Sequence, residues 1–545
     1  MAMVMPVREL LMFFVGFKLK GEYYMLIKLG LYVNTIKLMK ASQIYYRIRK
    51  ILKFDCSIGC KVTGDANKVE AITAVSELDF DQVFIKRFIA DEILADKITF
   101  LHTSKYFCWN EKWHFDDKSA LWNFNLHYFD FLFSIIDAYR KTGERKYLDK
   151  SKEIIKCWID RNNQKDGGEG WSPYTIDLRL TNWLSYYSYV NNDLDAEFKE
   201  KLINSIREQY VFLSRHLEKD ILGNHYFEDL KTLVLCALFF NDMPTLDLVL
   251  KEFYKECKEE ILPDGMHFEL SPMYHKLILE GIIRVAVALK GKNRADVEVE
   301  RYLQPMLDVA WSLEEGLERV PLFNDSGNNV SKSIQSLIAA SKNHFDIQPI
   351  YKSRFEDSGF YIFKQGAWKL IVDAGQPGPS YIPGHAHCDA GSFELFKDGK
   401  PVIVNCGTYA YQCKERRFFR STAAHNTVMI NNTEQSQCWG AFRMAKRGKI
   451  SVKEVTDKLI VLEMTDQKNN IVTRTIRVEG CLTIVDKSEK NKLTSFIHLA
   501  DSIEVNVSGN KKTIKHDYAP EYGIIKKINV IVYEGFGEIF AYINL

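Results

Sequence analysis

A chain of 545 residues with 46% hydrophobic content is too long for one ordinary domain and too apolar to be disordered. With 73 Lys/Arg against 71 Asp/Glu the formal net charge is only +2, and no nucleic-acid recognition motif is found, so a nucleic-acid role is excluded. Eleven cysteines, an odd number without paired spacing, argue for free thiols in a reducing compartment; Cys56 and Cys60 are close but lack metal partners.

Charge is uneven along the chain. Residues 1–53 hold ten Lys/Arg against two Glu, which leaves the remainder mildly acidic. Arg47, Arg49, Lys50 and Lys53 lie among Ile, Tyr and Leu. This is the pattern of a basic amphipathic helix, which either contacts an anionic membrane surface peripherally or packs on its own domain with a solvated cationic face. The apolar run Leu10–Phe17 is too short to span a bilayer, and no small-x-small cleavage site precedes Lys18. No later segment approaches eighteen apolar residues. These features place the chain in the cytoplasm or at the cytoplasmic membrane, with the periplasm left open.

Over 54–350 apolar residues recur at three and four: Phe129, Leu132, Phe133 and Ile136; Leu230, Leu233, Val234 and Ala237; Ile278, Ile282, Val285 and Leu289. These read as amphipathic helices joined by turn-rich loops such as 165–170, 222–225, 262–265 and 324–328. The rhythm of helix, short loop, helix fits hairpins closing into an (α/α) toroid. Nine Trp, 27 Tyr and 34 Phe either fill a helical core or line a carbohydrate cleft. Three loops concentrate polar and aromatic residues at helix ends: Trp171–Tyr174 leading to Asp177, Arg179, Asn182 and Trp183; Asn224-His225; and Asp264–His275, which holds Glu269 and Tyr274.

Near residue 351 the period changes to two. Segments 359–363, 368–373, 392–396, 402–404, 427–430, 459–462 and 482–485 read as short strands, and Lys397–Pro401 as a hairpin turn, giving an antiparallel β-sandwich over 351–545. Within it, His385, His387 and Asp389 are spaced by two. On a strand they share one face, about 6–7 Å between neighbours. With His425 supplied by a later strand, the group suits metal binding or proton transfer.

In order and spacing these motifs resemble the heparinase II/III and alginate lyase superfamily of polysaccharide lyases. The resemblance rests on Asn224-His225, Tyr274 in a Ser-Pro-x-Tyr-His context, His385-x-His387-x-Asp389-x-Gly-Ser-Phe and Ala-Ala-His425-Asn-Thr-Val. It implies an α+β multidomain chain, an N-terminal (α/α) toroid followed by a C-terminal antiparallel β-sandwich, with an acidic polysaccharide in the cleft between them. It also implies β-elimination beside a uronic acid: the carboxylate is neutralised, the C5 proton removed and the leaving glycosidic oxygen protonated. Carried over, Tyr274 is the base and the acid, its phenol lowered by positive charge or strong hydrogen bonds. Asn224 and His385 neutralise the carboxylate, His385 also carrying protons, and His225 is a further candidate. Arg179, Asn182, Trp183, Glu269, Tyr409 and Arg420 are candidate contacts to sugar or carboxylate.

The family's structural zinc site maps onto His387, Asn405 and His425. Asn405 departs from the usual Asp, a poorer ligand, so Asp389 is an alternative donor and a metal-free clasp another. The basic N-terminus resembles relatives tied to bacterial capsule or exopolysaccharide production. Two other functions stay open. A glycoside hydrolase would need a carboxylate pair, with Glu228, Glu269, Asp264 and Asp325 available. A glycan-binding protein of polysaccharide assembly would need no chemistry at all. Oligomeric state is not legible.

Overall fold

A computed structural model describes residues 22–545 apart from 60, 61, 63, 66, 67, 107, 165 and 166. The run Leu10–Phe17 and Cys60 lie outside the described residues. Among those described, no helix is long and apolar enough to cross a membrane. The ten described cysteines carry no disulfide.

Helices dominate as far as Phe345 and strands from Arg354 onward. The inner helices Pro173–Val190, Asn224–Phe239 and Pro272–Gly291 pack side by side. All of Asn224–Phe239 except His225 is buried, its first half including the polar Glu228, Asp229, Lys231 and Thr232 and its second half wholly apolar. Outer helices such as Arg145–Arg161, Ala196–Leu213 and Met243–Glu260 bury one stripe each. Alternation of inner and outer helices makes the inner ones parallel, so Tyr174, Asn224 and Tyr274 all fall in the first turn of an inner helix, at the same end of the domain.

Not all of 54–350 is helical. Lys97–Phe100 and Thr103–Tyr106 form an antiparallel hairpin closed by Leu101 and His102, both in the left-handed region at φ 49° and 58°. Such turns usually announce themselves through Asn or Gly, and here neither is present.

The helix Ala41–Ile51 reverses the expectation for the basic segment. Its polar side faces inward: Gln43 donates to the Ile221 carbonyl at 3.0 Å, Arg47 to the Asp220 carbonyl at 3.3 Å, and Lys50 to the Asp220 carboxylate at 3.1 Å. Ile44, Tyr45, Ile48 and Ile51 are its exposed large apolar residues, and the Lys50 side chain stays partly in solvent.

The second domain is a continuous antiparallel sheet of thirteen strands. The long strand Cys481–Leu499 pairs with Ile471–Val478 through its first half and with Val428–Ile430 through its second, so it serves both layers around one core. Strand Trp368–Asp373 shows the period-two pattern buried on both sides. Leu370 and Val372 face the sandwich core, while Ile371 joins Phe360, Ile362 and Phe396 against Met266, Val309 and Leu313 of the helical domain. Asp398 and Gly399, at φ 48° and 80°, close the predicted hairpin between Phe393–Lys397 and Lys400–Ile403.

Segment 383–392, read as a strand, is irregular and buried. A buried loop must bond its backbone elsewhere. Arg420 supplies much of this, donating to the carbonyls of Ala386 at 2.8 Å and Pro383 at 3.1 Å. Arg474 ties the loop's far end to the sheet, donating to Gly391 O, Asn426 O and both oxygens of Asp486 at 2.7–2.9 Å. Asp486→Ala leaves that guanidinium buried and unpaired, and the expected loss of stability is about 3–5 kcal/mol by urea unfolding. Replacing both partners with apolar residues should cost less.

Candidate active site

A cavity of about 1200 Å³ opens between the domains. Tyr174, Asn224 and Tyr274 line it from their helix starts, and Ser119, the cap of helix Ala120–Tyr128, lines it too. Helix N-termini carry partial positive charge and unsatisfied N–H groups, so this wall favours an anion. The opposite wall comes from the sheet domain: His385, Tyr409, Tyr411, Phe442 and Tyr522.

One buried carboxylate organises the site. Asp325 lies in the segment between helices Leu303–Glu314 and Ile334–Phe345 and is fully buried. It accepts from His385 Nδ1 at 2.9 Å, His387 Nε2 at 2.8 Å, Thr408 Oγ1 at 3.0 Å and both terminal nitrogens of Arg416, Nη2 at 2.6 Å. Burial opposes ionisation of Asp325, but Arg416 and the two histidine hydrogen bonds outweigh it and hold the carboxyl well below its ordinary range. An ionised carboxylate only accepts, so the His385 nitrogen that faces it, Nδ1, donates.

Tyr274 and His385 face each other with ring centroids 4.0 Å apart. The Tyr274 hydroxyl lies 2.8 Å from that of Tyr411, which lies 2.6 Å from that of Tyr522. The expectation of a lowered phenol is not met in the ligand-free protein. Burial, then the neighbouring phenols of Tyr522 and Tyr174, push Tyr274 well above its ordinary value, and the hydrogen bond from Tyr411 only partly offsets them. The nearby guanidinium of Arg416 is engaged by Asp325.

Asn224 reaches the cavity edge and donates through Nδ2 to Glu269 at 3.0 Å. Glu269 is buried and its other oxygen lies 3.6 Å from His385 Nε2. It therefore positions Asn224 and does not line the cavity. His225 lines the cavity and bonds Glu218 at 2.7 Å. Asn182 lines it while donating to Asp130 at 3.0 Å, and Tyr409 lines it half-buried.

Three sequence candidates are structural instead. Arg179 is fully buried 3.9 Å from the Trp158 ring centre, donating to Gln209 and to the carbonyls of His127 and Gly170. Trp183 packs edge-on against Phe129 and Trp158 in the helical core. Arg420 spends its guanidinium on loop carbonyls. All three stand close in sequence to cavity residues, but helical phase and loop direction turn them inward.

His387, Asp389 and His425 each offer a donor atom within 4.8 Å of the others. His387 Nδ1 and His425 Nε2 are 3.2 Å apart, close to the separation of two imidazoles on a tetrahedral ion about 2.0–2.1 Å from each. Burial lowers His387 to about 4 and His425 well below its ordinary value, so both are neutral and hold lone pairs. Asp325 orients His387 through its other nitrogen, the usual carboxylate–histidine arrangement behind a metal. The donor set fits zinc. The carboxylate among the three is Asp389, whereas Asn405 accepts from the Asn426 N–H at 3.1 Å and donates to Ser392 at 3.4 Å.

Sequence reasoning missed Tyr411, Tyr522 and Arg416. Arg416 sits in the run Arg416-Arg417-Phe-Phe-Arg420, where nothing local distinguishes the arginine that meets Asp325 from its neighbours. Asp325 itself was legible only as one of four loop carboxylates.

Residues 34–351 match the heparinase II/III N-terminus and residues 348–521 the heparinase II/III-like C-terminal region. A heparin-sulfate lyase of Pedobacter heparinus is 24% identical over 360 residues, 59% of this chain and 53% of that protein. One from Bacteroides stercoris is 25% identical over 387 residues, 60% of this chain and 56% of that protein. The match thus spans little more than half the length of these curated relatives. A crystal structure of heparinase III superposes with a TM-score of 0.66 at 17% identity, covering 98% of this chain and 93% of that one. A further heparinase III structure gives 0.60 at 18% identity, covering 88% and 86%. With both halves matched in order, over residues 34–351 and 348–521, the chain belongs to the heparinase II/III family.

Proposed function

We propose that this chain is a polysaccharide lyase that cleaves an acidic, uronic-acid-containing polymer by β-elimination. One observation carries the reading: the Tyr274 phenol and the His385 imidazole, from different domains, meet at 4.0 Å in a cavity walled by helix N-termini. The names of the relatives, heparin-sulfate lyase and heparinase III, support the class.

The division of labour follows from protonation. With Nδ1–H directed at Asp325, the Nε2 lone pair of a neutral His385 would take the C5 proton of the uronate. The electron pair left behind forms the C4–C5 double bond as the C4–oxygen bond breaks. Tyr274, held protonated by burial, gives its proton to the departing oxygen. The imidazolium then returns a proton to the adjacent phenolate and resets the site. Asn224 and the surrounding helix N-termini offset the substrate carboxylate. Zinc held by His387, His425 and Asp389 would lock the loop that carries His385, a structural contribution.

A hydrolase needs a free acid and base, and the four candidate carboxylates are engaged. Asp325 is clamped as described, Glu228 pairs with Lys231, Glu269 holds Asn224, and Asp264 accepts from Ser358.

Incubation with a panel of acidic polysaccharides, bacterial surface polymers included, should yield an unsaturated uronate seen by ultraviolet absorbance and product mass. Tyr274→Phe should cut turnover by about 10²–10⁴-fold with polymer binding retained; unchanged turnover removes the tyrosine from the chemistry. Metal analysis of the purified protein should find zinc that is lost from Asp389→Ala and His425→Ala, with a lower Tm after chelation. Equal metal content in all three proteins would rule the site out.

A further inference from the structure

Two of the cations on the cavity wall share one aromatic ring and take no part in the proton-transfer chemistry. Lys332 lines the cavity at 5% exposure. Among the described residues no hydrogen bond or ion pair reaches its ammonium, which lies 3.5 Å from the centre of the Phe84 ring. Arg87 lies 3.9 Å from the centre of the same ring and donates to the carbonyls of Phe84 and Asn329. It too meets no carboxylate at ion-pair distance. The other buried lysine on this wall, Lys231, is paired with Glu228. The carboxylates whose field reaches Lys332 most strongly are Glu280 and Asp130. Glu280 is bonded to Arg284 at 2.8 Å, and Asp130 accepts from Asn182 at 3.0 Å. A charge taken out of water without a partner is costly, and an anionic ligand is what would offset that cost here.

The pair is also held in place. Ser333 N–H donates to Asp81 at 2.5 Å, fixing the loop against the short helix Gln82–Ile85 that carries Phe84. Val330, two residues before Lys332, packs with Tyr274 and Tyr522. Two residues of chain reach at most about 7 Å, so Lys332 starts close to the reacting pair, in the cavity that it shares with Tyr274 and His385.

We propose that Lys332 and Arg87 form an anion subsite that binds a carboxylate or sulfate on a sugar next to the one that is cleaved. The subsite depends on the lyase reading for the class of its ligand, an acidic polysaccharide, but on none of its proton transfers. Phe84 sets the spacing of the two charges, and the oxyanion completes the coordination that the protein leaves open.

The test uses full-length Tyr274→Phe protein, so that binding is read without turnover. Two probes are titrated by calorimetry: an unsulfated uronate-containing oligosaccharide and a sulfated one of the same length. Lys332→Gln in this background should weaken binding about ten-fold, with a shallower salt dependence, and Lys332→Arg should recover most of the loss. Loss with both probes identifies the carboxylate as ligand, and loss with the sulfated probe alone identifies sulfate. The Tm of Lys332→Gln should equal or exceed that of its parent, since an unpaired buried charge has been removed. Unchanged affinity for both probes, failure of the parent to bind either, or a loss of affinity accompanied by a lower Tm overturns the subsite. Failure of the lyase reading would show instead as absence of unsaturated product from protein with Tyr274 intact, a measurement that this titration does not use.

Discussion

A single ionised carboxylate, sealed from water between two domains, is what the site is built around. Asp325 reaches His385 on one side and His387 on the other, and Arg416 supplies the charge that lets it stay ionised. Its backbone is used as well. The Asp325 N–H donates to the His385 carbonyl at 3.1 Å, and its own carbonyl accepts from Ser271 at 2.8 Å. Ser271 in turn caps the helix that begins with Pro272-Met-Tyr274. The phenol and the imidazole are therefore placed by one residue, from opposite sides of the seam.

The charge of the proposed substrate would be met in a different way. The chain as a whole is nearly neutral, so attraction for such a polyanion would have to be local. Parallel inner helices deliver several N-terminal turns to one wall, a property of topology that no single residue announces. Among the cations around the cavity, Lys118 and Lys231 are paired with Asp117 and Glu228. Lys332 and Arg87 stand apart because both lie over one aromatic ring instead.

Much of this was readable from residues alone, for identifiable reasons. Periodicity switches from three-and-four to two close to where Phe345 ends the helices and Arg354 begins the strands, because helix stripes and pleated faces bury different spacings. Tyr274, Asn224 and His385 were legible because their motifs carry chemistry at fixed order along the chain. The strand assigned to His385–Asp389 failed because a two-residue spacing is also compatible with an irregular loop whose polar groups are bonded by remote partners, here Arg420, Asn324 and Asp325. Arg179 and Trp183 were misplaced because the depth of a residue on an inner helix depends on neighbours that the local sequence does not show. The protonation of Tyr274 was misjudged for a related reason: the cation that could have lowered it is held by a carboxylate more than ninety residues away along the chain from it.

The way Asp325 is held also bears on how a polymer gets in. Its carboxylate belongs to the helical domain, whereas His385, His387, Thr408 and Arg416 belong to the sheet domain. Swinging the domains apart like jaws along this line would tear a buried guanidinium from its carboxylate, a rupture of about 3–5 kcal/mol, and would release the imidazole from the carboxylate that orients its Nδ1. The groove is thus a slot of fixed gauge. The polymer proposed as substrate would have to be fed through its existing mouth, and branches too wide for the gap would be turned away before any chemistry began.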